Sequence, residues 1–193
     1  MTLDDPIAMF SALFDEAKRL GTLEPEAMVL STADERGRPS NRYVLLKEFD
    51  ERGFVFYTNF DSRKARDLAV NPYAALCFYW PLIDKQVRVE GKAERVSDAD
   101  ADEYFASRPR ESQTGAWAST QSAPLASREW LDRRVQEERE RFEGRVVPRP
   151  PFWSGFRVVP RAIEFWTRNP ARLHDRALFA REDGRWERTL LYP

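Results

Sequence analysis

The chain has 193 residues, of which 31 are basic and 32 acidic, and its formal net charge is −1. This balance argues against a general nucleic-acid binder, which carries a basic excess. A single cysteine rules out an internal disulfide, and one cysteine with one histidine cannot form a zinc site of the usual type. We therefore expect no nucleic-acid partner and no bound metal.

The N-terminal segment predicts a helix and no targeting sequence. "MTLDDPIAMF" lacks a basic region followed by an apolar stretch, and no apolar run in the chain approaches ~20 residues. We therefore expect a cytoplasmic protein without a membrane span. Asp5 followed by Pro6 is typical of a helix start, and apolar residues at helical spacing continue to Leu20, just before Gly21.

Strands dominate the next part of the chain. The stretches "EAMVLSTAD", "NRYVLLKEF" and "FVFYTN" predict three strands, separated by the turns "ERGRPS" and "DERG". "DSRKARDLAVNP" predicts a short helix that Ser62 caps. "AALCFYW" predicts a strand buried on both faces, with Cys77 as a small buried hydrophobe, and "KQVRVEGKAERV" predicts a half-buried strand.

The second half contains helices and then strands. Ser97 begins a helix in "SDADADEYFASRP", and residues 127–143 form a long charged helix. After the Pro-rich "RVVPRPPFWSGF", three strands end the chain: "FRVVPRAIEFW", "RALFARED" and "WERTLLYP". This order predicts one domain over residues 1–193, mainly β with flanking helices (α+β), built as an antiparallel β-barrel and not as a βαβ sheet. The motifs of the usual dinucleotide, nucleoside-triphosphate and serine-hydrolase sites are absent.

Cations cluster on neighbouring predicted elements of the first half. Arg42 and Lys47 bracket the apolar "YVLL", and Arg63 and Lys64 open the short helix directly after "FVFYTN". Arginine, lysine and hydroxyl groups at a helix N-terminus are typical of an anion site. Each polar residue alone is also explained as a strand end, but the cluster favours a phosphate site.

A second polar group lies in "EYFASRPRESQTGAWASTQS". Tyr104 and Arg108 are four residues apart and share a helix face, and Ser112 follows after a proline turn. Their donors suit another phosphate. Two phosphate sites in a neutral protein favour two phosphorylated small molecules as ligands.

His174 is the only histidine, and Arg172 and Arg176 flank it within two residues. A lone histidine in a charged stretch is more often a surface residue without a task. Histidine is also the side chain that can act as acid, base or donor near neutrality. The local sequence leaves both interpretations open.

Several long stretches carry a family likeness: "RYVLLKEFDERGFVFYTNFDSRKARDL", "NPYAALCFYW", "QVRVEGKAERV", "YFASRPRESQTGAWASTQS", "WSGFRVVPRAIEFW" and "RLHDR". Together they resemble the pyridoxine/pyridoxamine 5′-phosphate oxidase family, and the likeness runs in order from about residue 6 to residue 193. The resemblance implies a split β-barrel that binds FMN and a homodimer with two active sites at the subunit interface.

The resemblance also implies the flavin-binding positions. These would be Arg42, Tyr43, Val44, Leu45, Leu46, Lys47, Tyr57, Thr58, Arg63, Lys64, Gln86, Gln121, Ser122, Trp166 and Arg176. Gln121 and Ser122 would join the flavin from the partner subunit's side of the interface.

The substrate positions follow in the same way. Lys47, Tyr104, Arg108 and Ser112 would surround the substrate phosphate, and Arg172, Leu173 and His174 would lie near the reacting end of the pyridine ring. Arg172 and His174 would be the catalytic residues, which position the substrate and assist proton removal. Because alternate residues of an extended segment point to one face, Arg172, His174 and Arg176 would line one pocket.

The implied reaction is hydride transfer from C4′ of pyridoxamine or pyridoxine 5′-phosphate to flavin N5. Pyridoxal 5′-phosphate is the product, O₂ is the acceptor, hydrogen peroxide is released, and the amine also gives ammonia. Two alternatives stay open: a related split-barrel flavin oxidase with another substrate, such as one of the phenazine pathway, and a non-catalytic protein that binds flavin or pyridoxal phosphate.

Three features depart from the family pattern. Lys85 stands where an arginine is expected, and "WTRNPARLHDR" lacks the expected Gln-Gly after the tryptophan. The family's longer N-terminal segment covers the substrate, so we expect that lid to be absent here or replaced by another element.

Overall fold

The computed structural model describes residues 5–193, which form five α-helices and nine β-strands. The helices are α1 (Pro6–Arg19), α2 (Arg63–Val70), α3 (Asp98–Ser107), α4 (Arg110–Ala118) and α5 (Arg128–Arg141). The strands are β1 (Ala27–Ala33), β2 (Pro39–Leu45), β3 (Glu48–Asp50), β4 (Gly53–Asn59), β5 (Tyr73–Trp80), β6 (Lys85–Arg95), β7 (Trp153–Thr167), β8 (Asp175–Glu182) and β9 (Arg185–Leu191).

The strands form one antiparallel sheet in the order β2-β1-β5-β6-β7-β4-β3. The 15-residue β7 pairs with β6 along one edge. Along its other edge it pairs first with β4 and then with β8, which pairs with β9. The expected antiparallel β architecture with flanking helices is confirmed. Because one edge of β7 pairs with β4 at its start and with β8 at its end, these two strands lie at different ends of the sheet.

Helix α1 closes one side of the main core. Asp5 Oδ1 accepts from the Ile7 N–H at 2.9 Å, as the sequence predicts for a capped helix start. The Phe10 ring of α1 is buried, with its centroid 4.9 Å from that of Phe54 and 5.0 Å from that of Phe78. Each such buried ring contributes roughly 1.5–3 kcal/mol to folding.

The boundaries of one predicted strand differ from the structure. "NRYVLLKEF" is not a single strand, because β2 begins at Pro39 and ends at Leu45, and β3 begins at Glu48. The backbone changes partner between them: the Leu46 N–H donates to the Glu26 carbonyl, whereas the Lys47 N–H donates to the Val55 carbonyl. This change of partner carries the chain from one side of the sheet to the other.

One helix was missed, and two further expectations need correction. Helix α4 was not predicted, although it carries Ser112. Strand β5 is buried on one face only, and Cys77 lies half-buried on the other. Ser62 is the N-cap residue of α2, but its side chain makes no capping hydrogen bond because it is buried beside Thr58.

A second, smaller core lies between α3, the end of α5 and the start of β7. Its buried members are Phe105, Phe142, Val147 and Trp153. Arg149 ties the connector before β7 to α3, since its guanidinium donates to the carboxylates of Asp98 and Asp102. No helix within residues 5–193 has both the length and the apolar character needed to cross a membrane.

Candidate active site

A cavity of about 1120 Å³ lies between β2, β4, the start of α2 and the helices α3 and α4. We call it the phosphate cavity. Its lining includes both sets of residues that the sequence predicts as anion sites: Arg42, Lys47, Arg63 and Lys64 in the first, and Tyr104, Arg108 and Ser112 in the second. Tyr43, Val44, Leu45, Tyr57, Thr58, Gln121 and Ser122 also line it. The two predicted sites are therefore parts of one cavity.

Lys64 is the most enclosed cation of this cavity. It lies in the first turn of α2 with 8% of its surface exposed. Its Nζ donates to Gln121 Oε1 at 2.9 Å and to Thr58 Oγ1 at 3.2 Å. Burial, together with the nearby Arg42, lowers the pKa of Lys64 to about 8. An anion in the cavity would hold the proton on this amine.

The loop after α4 completes the start of α2. The backbone N–H of Arg63 donates to Ser122 Oγ at 3.2 Å, and Ser122 has a positive φ of 71°. Gln121 and Ser122 therefore contact the α2 start of their own chain. The expectation that they reach the flavin from the partner subunit's side is wrong, since the loop folds back onto its own protomer.

Arg42 is fixed in the wall of the cavity by neighbouring strands. Its Nη1 donates to Thr32 Oγ1 at 2.8 Å and to the Leu30 carbonyl at 3.3 Å, and its Nη2 donates to Ser40 Oγ. Burial lowers the pKa of Arg42, an effect that the carboxylate of Asp67 opposes. The guanidinium is thus held in place before any ligand binds.

Aromatic rings form the opposite wall. The Tyr57 and Tyr104 rings are stacked with centroids 4.0 Å apart, and Trp153 lies parallel to Tyr57 at 5.4 Å. The Arg108 guanidinium lies 4.8 Å from the centroid of the Trp153 ring. Its Nη1 is buried and has no hydrogen-bond partner among residues 5–193. A buried donor without a partner is costly, so this atom suits an anionic ligand.

Gly155 makes the ring stack possible. It lies opposite Tyr57 in the pairing of β4 with β7. A Cβ at position 155 would lie 2.8 Å from Cδ1 of the Tyr57 ring and 3.0 Å from the Phe56 carbonyl oxygen, which no larger residue tolerates without a shift. The Tyr57 hydroxyl donates to Glu48 Oε1 at 3.2 Å. Burial raises the pKa of this hydroxyl, so it stays protonated.

A second cavity, of about 670 Å³, lies at the other end of the sheet. We call it the histidine cavity. Its lining includes Trp166, Asn169, Arg172 and His174. The His174 ring packs against Trp166 with centroids 4.6 Å apart, and its Nδ1 accepts the backbone N–H of Asn169 at 3.2 Å. The ring plane and the hydrogen bonding of one ring nitrogen are therefore fixed.

The segment that carries Arg172 is a turn and not an extended strand. Pro170–Arg172 form a tight turn that is not a regular helix, because Ala171 and Arg172 have positive φ values of 55° and 62°. β8 begins only at Asp175. The predicted alternation that would place Arg172, His174 and Arg176 in one pocket is therefore wrong. Two successive non-glycine residues with positive φ store backbone strain, which commonly occurs at functional positions.

Arg176 belongs instead to a row of side chains across the sheet. Gln86, Trp166 and Arg176 are direct partners on β6, β7 and β8. Residues directly opposite each other in antiparallel strands project from the same face. Arg176 Nε donates to Glu164 Oε1 at 2.7 Å, which holds the guanidinium beside this row. Tyr79, whose side chain is exposed, is the strand partner of Gln86 and projects from the same face.

Four predicted residues line neither cavity: Gln86 and Arg176, which belong to the row across the sheet, and Leu46 and Leu173. Leu46 is buried in the main core, and the side chain of Leu173 is exposed without lining either cavity. The sequence interpretation also missed residues that support the site, namely Thr32, Asp67, Trp153, Gly155 and Asn169. Only Gly155 gave a local signal, since a glycine inside a strand often marks a close approach.

The fold and site first define a class: an antiparallel split barrel with a cationic cavity. The structure of a pyridoxamine 5′-phosphate oxidase-related, FMN binding protein from Nostoc punctiforme PCC 73102 shares this fold, with a TM-score of 0.79 and 18% identity over 100% of both chains. PhzG from Burkholderia lata 383, solved in complex with tetrahydrophenazine-1-carboxylic acid, superposes with a TM-score of 0.94 and 31% identity over 100% of this chain and 94% of that one.

Sequence comparisons then give the family. The family model described as pyridoxamine 5′-phosphate oxidase matches residues 14–142, and the pyridoxine 5′-phosphate oxidase C-terminal dimerisation region matches residues 153–193. Pyridoxine/pyridoxamine 5′-phosphate oxidases from Myxococcus xanthus (strain DK1622) and Rubrobacter xylanophilus are 59% and 60% identical, each over 98% of this chain and over 92% and 87% of their own lengths. The chain therefore belongs to the pyridoxine/pyridoxamine 5′-phosphate oxidase family. The dimerisation region indicates a homodimer, and the family indicates a flavin cofactor.

Proposed function

We propose that the protein oxidises pyridoxamine 5′-phosphate and pyridoxine 5′-phosphate to pyridoxal 5′-phosphate with bound FMN. O₂ is the electron acceptor, hydrogen peroxide is released, and the amine substrate also yields ammonia. The observation that carries this proposal is the phosphate cavity, which contains two groups of anion-binding side chains in one space. Two phosphorylated molecules must meet for this reaction, and the cavity offers a place for each phosphate.

FMN fits the first group. Arg42, Arg63 and Lys64 surround the start of α2, where backbone N–H groups and hydroxyls add further donors. A phosphate monoester is a compact dianion, and such a set of donors suits it. Lys64 is already buried and hydrogen-bonded, so little reorganisation is needed when the phosphate binds.

The substrate phosphate fits the second group. Arg108 offers its buried, unpartnered Nη1, and Tyr104, Ser112 and Lys47 line the cavity near it. Stacking on Trp153 fixes the plane of the Arg108 guanidinium. Charge-assisted hydrogen bonds of this kind would orient the substrate by its phosphate, while the reacting end of the pyridine ring extends away from it.

The active site is completed at the dimer interface. The row of Gln86, Trp166 and Arg176 lies on the outer face of the sheet, which also presents the exposed Tyr43 and Tyr79. Exposed aromatic residues on one sheet face are typical of a subunit interface. In this arrangement the histidine cavity of one protomer would face the phosphate cavity of the other, and the row of Gln86, Trp166 and Arg176 would contact the flavin.

Bound FMN would supply the acceptor for the hydride that leaves C4′ of the substrate, and O₂ would reoxidise it. The protein's own part is orientation and hydrogen bonding. Because His174 Nδ1 accepts the Asn169 N–H, the proton of the neutral ring is on Nε2. His174 therefore presents a donor to the substrate, and Arg172 presents its guanidinium from the strained turn beside it.

Aerobic turnover of the FMN-loaded protein on pyridoxamine 5′-phosphate tests the proposal. We expect pyridoxal 5′-phosphate and hydrogen peroxide to appear in equal amounts. Arg108→Met should raise the KM for the substrate while FMN stays bound, because methionine keeps the packing on Trp153 and removes the charge. A flavin-loaded dimer that forms no product from either substrate would overturn the proposal and favour a protein that only binds flavin or pyridoxal phosphate.

A phenazine-type substrate is the second candidate, favoured by the similarity to PhzG. The side chains of Arg108, Tyr104 and Ser112, which would bind a substrate phosphate, favour pyridoxamine or pyridoxine 5′-phosphate as the substrate. A tricyclic carboxylate does not require a phosphate site of this kind. Turnover of a reduced phenazine carboxylic acid in the same assay separates the two. A faster rate on that substrate than on pyridoxamine 5′-phosphate would reverse the preference.

A further inference from the structure

Asp67 is a buried carboxylate directly behind the phosphate cavity. It lies in the second turn of α2 and is 6% exposed, and it does not belong to the lining of the cavity. Its Oδ2 accepts the hydroxyl of Thr32 at 2.7 Å and lies 4.0 Å from Arg42 Nη2. A buried carboxylate is costly unless it is paired and hydrogen-bonded, so its partners define what it does.

The hydrogen bonds run in one direction through Thr32. An ionised carboxylate only accepts, so the single hydroxyl proton of Thr32 points to Asp67. The lone pairs of Thr32 Oγ1 are then free to accept from Arg42 Nη1, which lies 2.8 Å away. Asp67 thus determines the orientation of the hydroxyl that holds Arg42.

The charges lead to the same conclusion. Arg42 lies close enough to Arg63 and Lys64 for their charges to interact. In the absence of a bound anion, repulsion among these three cations opposes this position of the Arg42 side chain. Asp67 is the acid that acts on Arg42 from the protein side, opposite the cavity. Its charge offsets that repulsion and leaves the cavity side of the cluster to the ligand.

We propose that Asp67 is a positioning residue for the flavin phosphate, which acts through Thr32 to hold Arg42 in its binding conformation. The proposal rests on the proposed function in one respect, namely that FMN occupies the phosphate cavity. Preorganised donors bind more tightly because less conformational freedom is lost on binding. The competing explanation is purely structural: Asp67 would only attach α2 to β1.

The affinities of two flavins separate these explanations. Riboflavin has the same ring system as FMN but no phosphate, so the ratio of its Kd to that of FMN measures the contribution of the phosphate site. We would titrate both into the full-length protein stripped of flavin and follow the quenching of flavin fluorescence. Asp67→Asn and Thr32→Val should each weaken FMN binding about tenfold and leave riboflavin binding unchanged.

Thr32→Ser is the matched control for Thr32→Val. Serine keeps the hydroxyl that accepts from Arg42 and donates to Asp67, so FMN affinity should stay near that of the wild type. The Val and Ser variants also test the proposal if Asp67→Asn fails to fold. Equal weakening of FMN and riboflavin would show a structural role only and would overturn the proposal.

Tighter FMN binding by Asp67→Asn would also overturn the proposal that Asp67 is a positioning residue. The carboxylate of Asp67 would then act merely as a negative charge that repels the phosphate. The failure of the proposed function looks different. If the wild type itself binds riboflavin as tightly as FMN, the cavity does not hold the flavin phosphate, and the proposed function and this inference both fall. If the wild type prefers FMN but the variants keep that preference, only the role of Asp67 is rejected.

Discussion

The two cavities of this chain are constructed in opposite ways. The phosphate cavity is walled by regular strands and helices, and two of its cations are held by hydrogen bonds: Lys64 to Thr58 and Gln121, and Arg42 to neighbouring strand residues. The histidine cavity depends on one turn, in which Ala171 and Arg172 have positive φ and Arg172 is exposed. The first is prepared to receive an anion from solution, whereas the second presents side chains outward.

This difference explains why neither cavity alone resembles a complete active site. The phosphate cavity contains the predicted phosphate ligands but not Arg172 or His174, and the histidine cavity contains that pair without a phosphate site. A strained backbone persists only where surrounding structure holds it. Under the proposed function, the turn forms half of a site whose other half comes from the second subunit of the dimer.

A mixed dimer tests this division most strongly. Arg108→Met alters the phosphate cavity and Arg172→Ala the histidine cavity, and each homodimer should lose about hundredfold in kcat/KM because substrate binding or orientation is lost. In a mixed dimer one site carries both substitutions and the other carries neither. We expect turnover to return to nearly half of the wild-type value per dimer, measured on protein purified through two different tags.

The control is a dimer of two Arg172→Ala chains that carry the same two tags, which should stay inactive. A mixed dimer no more active than its parents would show that both cavities act within one chain. That result would remove the basis for comparing the cavities as two halves of one site.

His174 gives the next largest expected effect, within the histidine cavity alone. If the ring acts as an Nε2–H donor, His174→Ala should lower kcat about hundredfold, as the loss of an oriented donor does. His174→Gln places an amide N–H near the same position and should retain kcat within about tenfold of the wild type. Equal losses in the two variants would indicate that the ring exchanges a proton and does not only donate a hydrogen bond.

Because this is the only histidine, its tautomer can be observed directly. In ¹⁵N-labelled protein, a single imidazole should show a proton on Nε2 and a bare Nδ1. A proton on Nδ1 would contradict the hydrogen bond from Asn169 and the donor role derived from it.

In the phosphate cavity, charge reversal at Arg63 comes next. Arg63→Glu should weaken FMN binding roughly thirtyfold, because a carboxylate replaces a cation beside the phosphate. Arg66→Glu is the matched control on the same helix, since the Arg66 side chain is exposed and does not line the cavity. Equal effects at both positions in a flavin titration would mean that only the general charge of α2 matters.

Sequence reasoning predicted the phosphate cavity better than the histidine cavity, for a physical reason. Arg42, Arg63 and Lys64 lie on elements that short turns connect, so their proximity follows from local structure. Gln86, Trp166 and Arg176 become neighbours only through the register of β6, β7 and β8, which no local pattern specifies. Their places came from the family resemblance.

The errors have the same origin. The alternation assumed for "RLHDR" failed because Pro170 and two residues with positive φ form a turn there. Asp67 was unremarkable as one charge in a short helix, and its importance follows from contacts with Thr32 on β1 and Arg42 on β2. Tertiary contacts between distant residues were the information that the sequence patterns lacked.

The smallest expected effect concerns pH and Lys64. Its pKa of about 8 in the ligand-free protein means that the amine is charged at pH 7 and mostly neutral at pH 9. The phosphate dianion binds the charged form, so binding takes up a proton above pH 8 and FMN affinity falls as pH rises. We expect a decrease of about tenfold between pH 7 and pH 9, measured by flavin titration.

Lys64→Arg separates this cause from other titrations. Arginine stays charged throughout this range, so the variant should bind FMN with little pH dependence, even if its different shape weakens binding at every pH. A wild-type affinity that is flat from pH 7 to pH 9 would mean that Lys64 is already fully charged. A variant as pH-sensitive as the wild type would assign the titration to another group. Either result would weaken the contrast between the phosphate cavity, whose cation Lys64 is enclosed before a ligand binds, and the histidine cavity, which presents its side chains outward. That contrast depends on the burial of Lys64.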